Sequence, residues 1–144
     1  MSIKEKKYVI IAGYASTFNT IDNSHHIVKR EAIDCKKFPD KVPILFQHDF
    51  KRRLGTLLNA RTDKYGLYIE ATFDLNNQLQ KQVYKLIKDK RVEGMSVGLR
   101  IIESQYAKGV LVIQKAKLVE ISLTSYPVNE SCKIEFCESL QLYN

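Results

Sequence analysis

Only one long stretch of this chain repeats its apolar residues at helical spacing, so strands must outnumber helices in its fold. Between Asn77 and Lys90, Leu79, Val83, Leu86 and Ile87 form a single stripe opposite Gln80, Lys81, Lys85 and Lys88. Asn76 or Asn77 is available as its N-cap. Elsewhere the apolar residues come in strand-length runs. Tyr8 to Ala15 reads as a buried strand, and Val42 to His48 as another, with Pro43 at its start where a missing N–H is tolerated. Leu54 to Thr62 and Gly66 to Leu75 read as a hairpin joined through Asp63-Lys64-Tyr65-Gly66, with Leu67, Ile69, Ala71 and Phe73 on one face. Further strands are expected at Ser96 to Glu103, Gly109 to Gln114 and Lys117 to Ser125, where Pro127 stops the last. Ser16 to Asp40 is polar and aperiodic, a loop with one short helix near Lys29 to Cys35. The expectation is one domain over residues 1–144, a mostly β barrel or an α+β domain.

Bulk numbers narrow the function only slightly. No stretch approaches the ~18 apolar residues of a membrane span, and the charged start Met1 to Lys7 lacks the apolar core of a signal peptide. Three cysteines (Cys35, Cys132, Cys137) show no metal-ligand spacing, which suits a reducing cytoplasm. The formal charge of +7 favours acidic partners. Aromatic residues are not interleaved with the basic ones, however, so nucleic acid is not the expected partner.

The chemistry gathers around Gly94-Met95-Ser96-Val97-Gly98, a G-x-S-x-G. In an α/β-hydrolase this motif follows a strand, precedes a helix, and has its histidine later in the chain. Here a helical segment precedes Ser96, a strand follows, and His25, His26 and His48 all lie upstream. The α/β-hydrolase reading is excluded, and another serine chemistry stays open. Strand parity puts Val97, Leu99 and Ile101 on a core face, with Ser96, Gly98 and Arg100 on the other. In the last strand Val119, Ile121 and Leu123 oppose Leu118, Glu120, Ser122 and Thr124. A carboxylate in the middle of an apolar strand is costly to bury without a partner, and a histidine is a good one. His48 ends a strand beside the polar run Asp49-Phe50-Lys51-Arg52. Ser96, His48 and Glu120 can serve as nucleophile, base and orienting acid if the sheet brings them together.

These residues sit in segments that resemble the prohead proteases of tailed bacteriophages, serine proteases related to herpesvirus assemblins. The resemblance runs from Ala12-Gly13-Tyr14-Ala15-Ser16-Thr17-Phe18 to Pro127. Between them lie Leu45-Phe46-Gln47-His48-Asp49, Leu54-Gly55-Thr56 and Gly66 to Ala71. Arg91 to Leu99 and Leu118 to Thr124 complete the set. It implies an assemblin-like antiparallel β-barrel surrounded by a few helices, with Ser96 and His48 in the family's positions and Glu120 as third member. It also implies cleavage of scaffold, or of the scaffold-like part of the major capsid protein, inside the assembling prohead in the host bacterial cytoplasm. Self-cleavage, a homodimer and the absence of any cofactor or metal belong to the same implication. Two departures stand out. Arg30-Glu31-Ala32-Ile33 replaces the usual Gly-Ala-Phe-like turn, and the chain ends at Asn144 without the usual extension.

Several rival readings remain. Gly94, Gly98 and Arg100 are candidates for substrate contact, while Arg100 or a lysine could instead pair with Glu120. Asp49 is a rival third member, although a residue next to His48 in a strand points the other way. Ser122 and Ser125 read as plain strand serines that could also hydrogen-bond near Glu120. The pair His25-His26 reads as a solvated loop, since adjacent residues seldom share a metal. Cys132 and Cys137 have no activating environment in view, and Lys51-Arg52-Arg53 reads as a solvated loop. Against the enzyme stand two other classes: an inactive assembly or scaffold partner on the same fold, and a basic β-barrel that binds nucleic acid.

Overall fold

The computed structural model describes residues 5–34 and 42–143. Its nine strands are β1 (Glu5–Thr17), β2 (His26–Val28), β3 (Ile44–Phe46), β4 (Asp49–Arg53), β5 (Thr56–Thr62), β6 (Gly66–Asp74), β7 (Gly94–Ala107), β8 (Val110–Thr124) and β9 (Ile134–Tyr143). One helix, α1 (Gln78–Lys88), lies between β6 and β7. Two sheets result. The first has the order β5-β6-β1-β9 and is antiparallel throughout. The second is built on β8, with β7 antiparallel along one edge. On the other edge β2 and β3 pair parallel to β8, one after the other, and β4 folds back on β3.

The expectation of a mostly β fold agrees with this pairing. The expected antiparallel barrel surrounded by a few helices is met only in part: two of the pairings are parallel, and among the described residues there is one helix and no closed barrel is found. The sheets instead meet at a corner. Gly94 bridges Lys133, Met95 N–H donates to Cys132 C=O at 2.9 Å, and Ile134 N–H donates to Glu93 C=O at 2.8 Å. A single core fills the space between them. Leu67, Ile69, Ala71 and Phe73 supply one wall, as their alternation predicts, and Met95, Ile121 and Leu123 another, all at most 1% exposed. Helix α1 closes one side with Val83 and Ile87, and its N-cap Asn77 accepts from the Gln80 N–H at 3.1 Å. Between β4 and β5 the chain turns at Gly55, whose φ of +48° and 1.8 Å gap from an added Cβ to Thr72 O leave no room for a side chain.

Several expectations need correction, among them Lys51-Arg52-Arg53, which lies in β4 and not in a loop. Residues 29–34 form a turn and a lone bridge from Ile33 to Ala116, so the short helix is absent there, and Cys35 falls outside the described residues. The two late strands are one, β8, because Lys115 to Lys117 stay paired with β7 through local irregularities. A further strand, β9, follows Pro127 and pairs with β1. Finally, Ile101 and Val119 are exposed, because register shifts break the alternation of the β7–β8 ladder: Gly98 pairs with Glu120 and Leu99 with Leu118, so Val119 is an unpaired bulge residue.

Tyr14 ties β1 to the β5–β6 turn, its hydroxyl donating to Asp63 Oδ2 at 2.5 Å. That hydrogen bond, with burial, pushes the phenol up to about 12. At Asp63 burial acts upward, but hydrogen bonds from Tyr14 and from the Tyr65 and Gly66 amides outweigh it and leave the carboxyl lowered. A phenol raised by folding contributes stability that is complete below its unfolded value of about 10 and is lost as pH rises toward its folded value. Denaturation midpoints should therefore fall between pH 10 and 12 in the native protein, and fall measurably less in Tyr14→Phe.

Candidate active site

The polar face at the end of β8 has no core to hide in and no water to face. Glu120, Ser122 and Thr124 are buried at 3%, 0% and 3% exposure, so each needs a protein partner. The partners come from the tight β3–β4 hairpin, in which Phe46 pairs with Asp49 and Gln47-His48 is the two-residue turn. Both turn residues are left-handed, with φ of 52° and 60°. Two successive positive φ values define a type I′ turn, normally the place of Asn-Gly. Neither Gln47 nor His48 adopts that conformation readily, so the contacts around the turn must enforce it.

Those contacts are specific. Gln47 N–H donates to Leu123 C=O at 3.0 Å, and Thr124 Oγ1 donates to Gln47 Oε1 at 2.5 Å. His48 N–H donates to Ser122 Oγ at 3.0 Å. Ser122 Oγ in turn donates to Glu120 Oε2 at 2.6 Å. The other carboxylate oxygen, Oε1, is hydrogen-bonded to His48 Nδ1. His48 therefore sits in a turn, not at a strand end, with its side chain 42% exposed over a carboxylate that is 4% exposed. An ionised Glu120 only accepts, so Nδ1 carries the proton and Nε2 presents its lone pair.

Ser96 stands on the neighbouring strand. It is the cross-strand partner of Ser122, and Gly98 is that of Glu120, so Ser96 shares the face that carries the carboxylate. No hydrogen bond joins Ser96 Oγ to His48 among the described residues. Ser96 is only 6% exposed, yet no buried side-chain oxygen or nitrogen there lacks a partner, so its unbonded hydroxyl reaches solvent. Ser96 also lines a cavity of about 200 Å³ with Ala15, Thr17, His26, Val28 and Val97, which neither His48 nor Glu120 borders. The structure thus joins His48 to Glu120, sets Ser96 beside them, and leaves the serine–histidine contact open.

The remaining candidates have other occupations. A Cβ on Gly94 would lie 2.6 Å from Pro127 Cγ, and one on Gly98 2.8 Å from Glu120 Oε1, so both glycines make room for the protein's own side chains. Arg100 is exposed and makes no ion pair with Glu120 among the described residues. Asp49 bonds the Lys51 amide and pairs with Arg52 at 3.5 Å, away from His48. His26 donates its amide to Asp22 Oδ1 at 2.9 Å in a turn. Burial pushes the Cys132 thiol up to about 11 and raises Cys137 as well, the opposite of an activated thiolate. The Gln47–Thr124 bond escaped the sequence reading because a Gln-His pair carries no turn signature.

The fold and this polar row can be set against known proteins. A herpesvirus enzyme, KSHV protease crystallised with a hexapeptide phosphonate inhibitor, superposes with a TM-score of 0.50 at 12% identity, over 96% of this chain and 66% of the other. The class of fold is therefore that of the herpesvirus proteases. The family model for the caudovirus prohead serine protease matches residues 1–144, and the chain belongs to that family. Among its relatives are the prohead protease of Escherichia phage T5, 27% identical over 99 residues, and that of Enterobacteria phage HK97, 27% identical over 140 residues. These alignments cover 67% and 93% of this chain but only 46% and 62% of the relatives, so the chain spans roughly half to three-fifths of their length.

Glu120 rests on Gly98, so Gly98→Ala must displace it. Proton NMR should show a downfield His48 Nδ1–H resonance in the native protein. That signal should be lost in Gly98→Ala and in Glu120→Gln, with the rest of the spectrum still that of a folded protein.

Proposed function

We propose that this chain is a serine endopeptidase of phage capsid maturation, with Ser96 as nucleophile, His48 as general base and acid, and Glu120 as the group that orients His48. The observation that carries this reading is the hydrogen bond between His48 Nδ1 and the buried Glu120 carboxylate, 72 residues apart in sequence, on the face where Ser96 stands. Burying a carboxylate in mid-strand is unfavourable unless its partners compensate. A purely structural role would be met at lower cost by an apolar residue. Membership of the prohead protease family supports the same assignment.

The chemistry follows from the atoms. Ser96 Oγ attacks the scissile carbonyl carbon while His48 Nε2 takes its proton. The imidazolium so formed is stabilised by the Glu120 carboxylate at Nδ1, and Glu120 itself remains ionised. His48 then gives the proton to the leaving amine, and water, activated by the same imidazole, releases the acyl group from Ser96. The open Ser96–His48 contact fits a resting enzyme, since catalytic hydrogen bonds often tighten only with substrate bound. The substrates in this reading are scaffold or the scaffold-like part of the major capsid protein inside the assembling prohead, and the protease chain itself.

Co-expression with the major capsid protein of the same phage tests the assignment. The native chain should shorten the capsid protein, and Ser96→Ala should abolish processing, a loss on the order of 10⁶ in kcat in well-studied serine proteases. Glu120→Gln should reduce the rate by about 10⁴ while leaving the fold intact. Processing that persists in Ser96→Ala would overturn the nucleophile assignment.

A further inference from the structure

We infer that Ser122 is a positioning residue of this site, a single hydroxyl that sets both the carboxylate and the histidine main chain. The inference rests on the Ser96, His48 and Glu120 reading above. Ser122 is fully buried, and its Oγ makes two hydrogen bonds: one to Glu120 Oε2 at 2.6 Å and one with the His48 N–H at 3.0 Å. Their directions are forced. A backbone N–H can only donate and an ionised carboxylate can only accept, so the hydroxyl proton points at Glu120 and a lone pair faces His48. No other side chain among the described residues bonds both members of the pair.

The turn makes this matter. Gln47 and His48 both hold left-handed conformations that their side chains disfavour, so the turn persists only while its surroundings determine it. Gln47 is held by Leu123 C=O and by Thr124 Oγ1. The His48 amide is held by Ser122. Removing the hydroxyl frees the His48 amide and leaves Glu120 Oε2 buried without that donor, so the turn relaxes and the carboxylate swings toward water. The imidazole then loses the frame that aims Nε2 at Ser96.

The test uses the full chain and a fluorophosphonate probe, with saturation kinetics of Ser96 labelling. Ser122→Ala should lower the maximal labelling rate on the order of 10- to 100-fold, with half-saturation changed by no more than about threefold. The downfield His48 Nδ1–H resonance should broaden or vanish, an effect that loss of global stability alone does not produce. Should Ser122→Ala fail to fold, Ser122→Cys decides, since a thiol is close in shape but a weak hydrogen-bond donor. Slow labelling by a folded Ser122→Cys supports the inference, and labelling at the native rate overturns it. Native-rate labelling by a folded Ser122→Ala, with Glu120→Gln slow, overturns the role of Ser122 and leaves the Ser96, His48 and Glu120 reading standing. Native-rate labelling by Glu120→Gln overturns that reading, and this inference with it.

Discussion

A carboxylate buried in the middle of a strand is the constraint on which this site depends. Glu120 lies on β8, the strand that carries the second sheet, with β7 on one edge and β2 and β3 on the other. It is too enclosed to be hydrated, so its two oxygens must be satisfied by protein. One goes to His48 and the other to Ser122. Meeting that demand fixes the neighbours: a two-residue turn bent into an unfavourable conformation to present His48, and a glycine at position 98 because Glu120 fills the space above it.

The sheet supplies the rest of the arrangement. Cross-strand pairing puts Ser96 beside Ser122 and Gly98 beside Glu120, so the serine's position follows from register and not from a loop. Opposite this polar row, Met95, Ile121 and Leu123 of the same two strands pack into the core. One ladder thus has an apolar face that anchors it and a polar face that carries the proposed site. Sites built on such packed elements hold their geometry better than sites built on loops.

Much of this was legible in the sequence, for identifiable reasons. The helix announced itself through Leu79, Val83, Leu86 and Ile87, and β6 through its strict alternation. Glu120 stood out because a lone carboxylate interrupts an apolar run. The β9 strand is not legible although Ile134, Phe136, Leu140 and Leu142 fall on alternate positions, because Pro127 and a polar run precede it and Glu138 breaks the pattern. The split of β8 into two expected strands falls at Lys115 and Lys117, exposed residues on either side of buried Ala116, where the ladder with β7 shifts register. The I′ turn at Gln47-His48 had no local signal, because tertiary hydrogen bonds enforce a conformation that these residues do not prefer. The glycines of the G-x-S-x-G pattern, expected as candidates for substrate contact, lie against Pro127 and Glu120, which no local signal in the sequence gives away.

The proposed function requires Ser96 and the His48–Glu120 pair to act as one catalytic unit. A crystal structure of the chain after reaction with a peptide phosphonate tests this most directly. Phosphorus should be bonded to Ser96 Oγ, with His48 Nε2 at about 2.6–3.2 Å from that oxygen or a phosphonyl oxygen and Nδ1 still bonded to Glu120. An adduct on any other residue, or a His48 ring turned away from a modified Ser96, would contradict it.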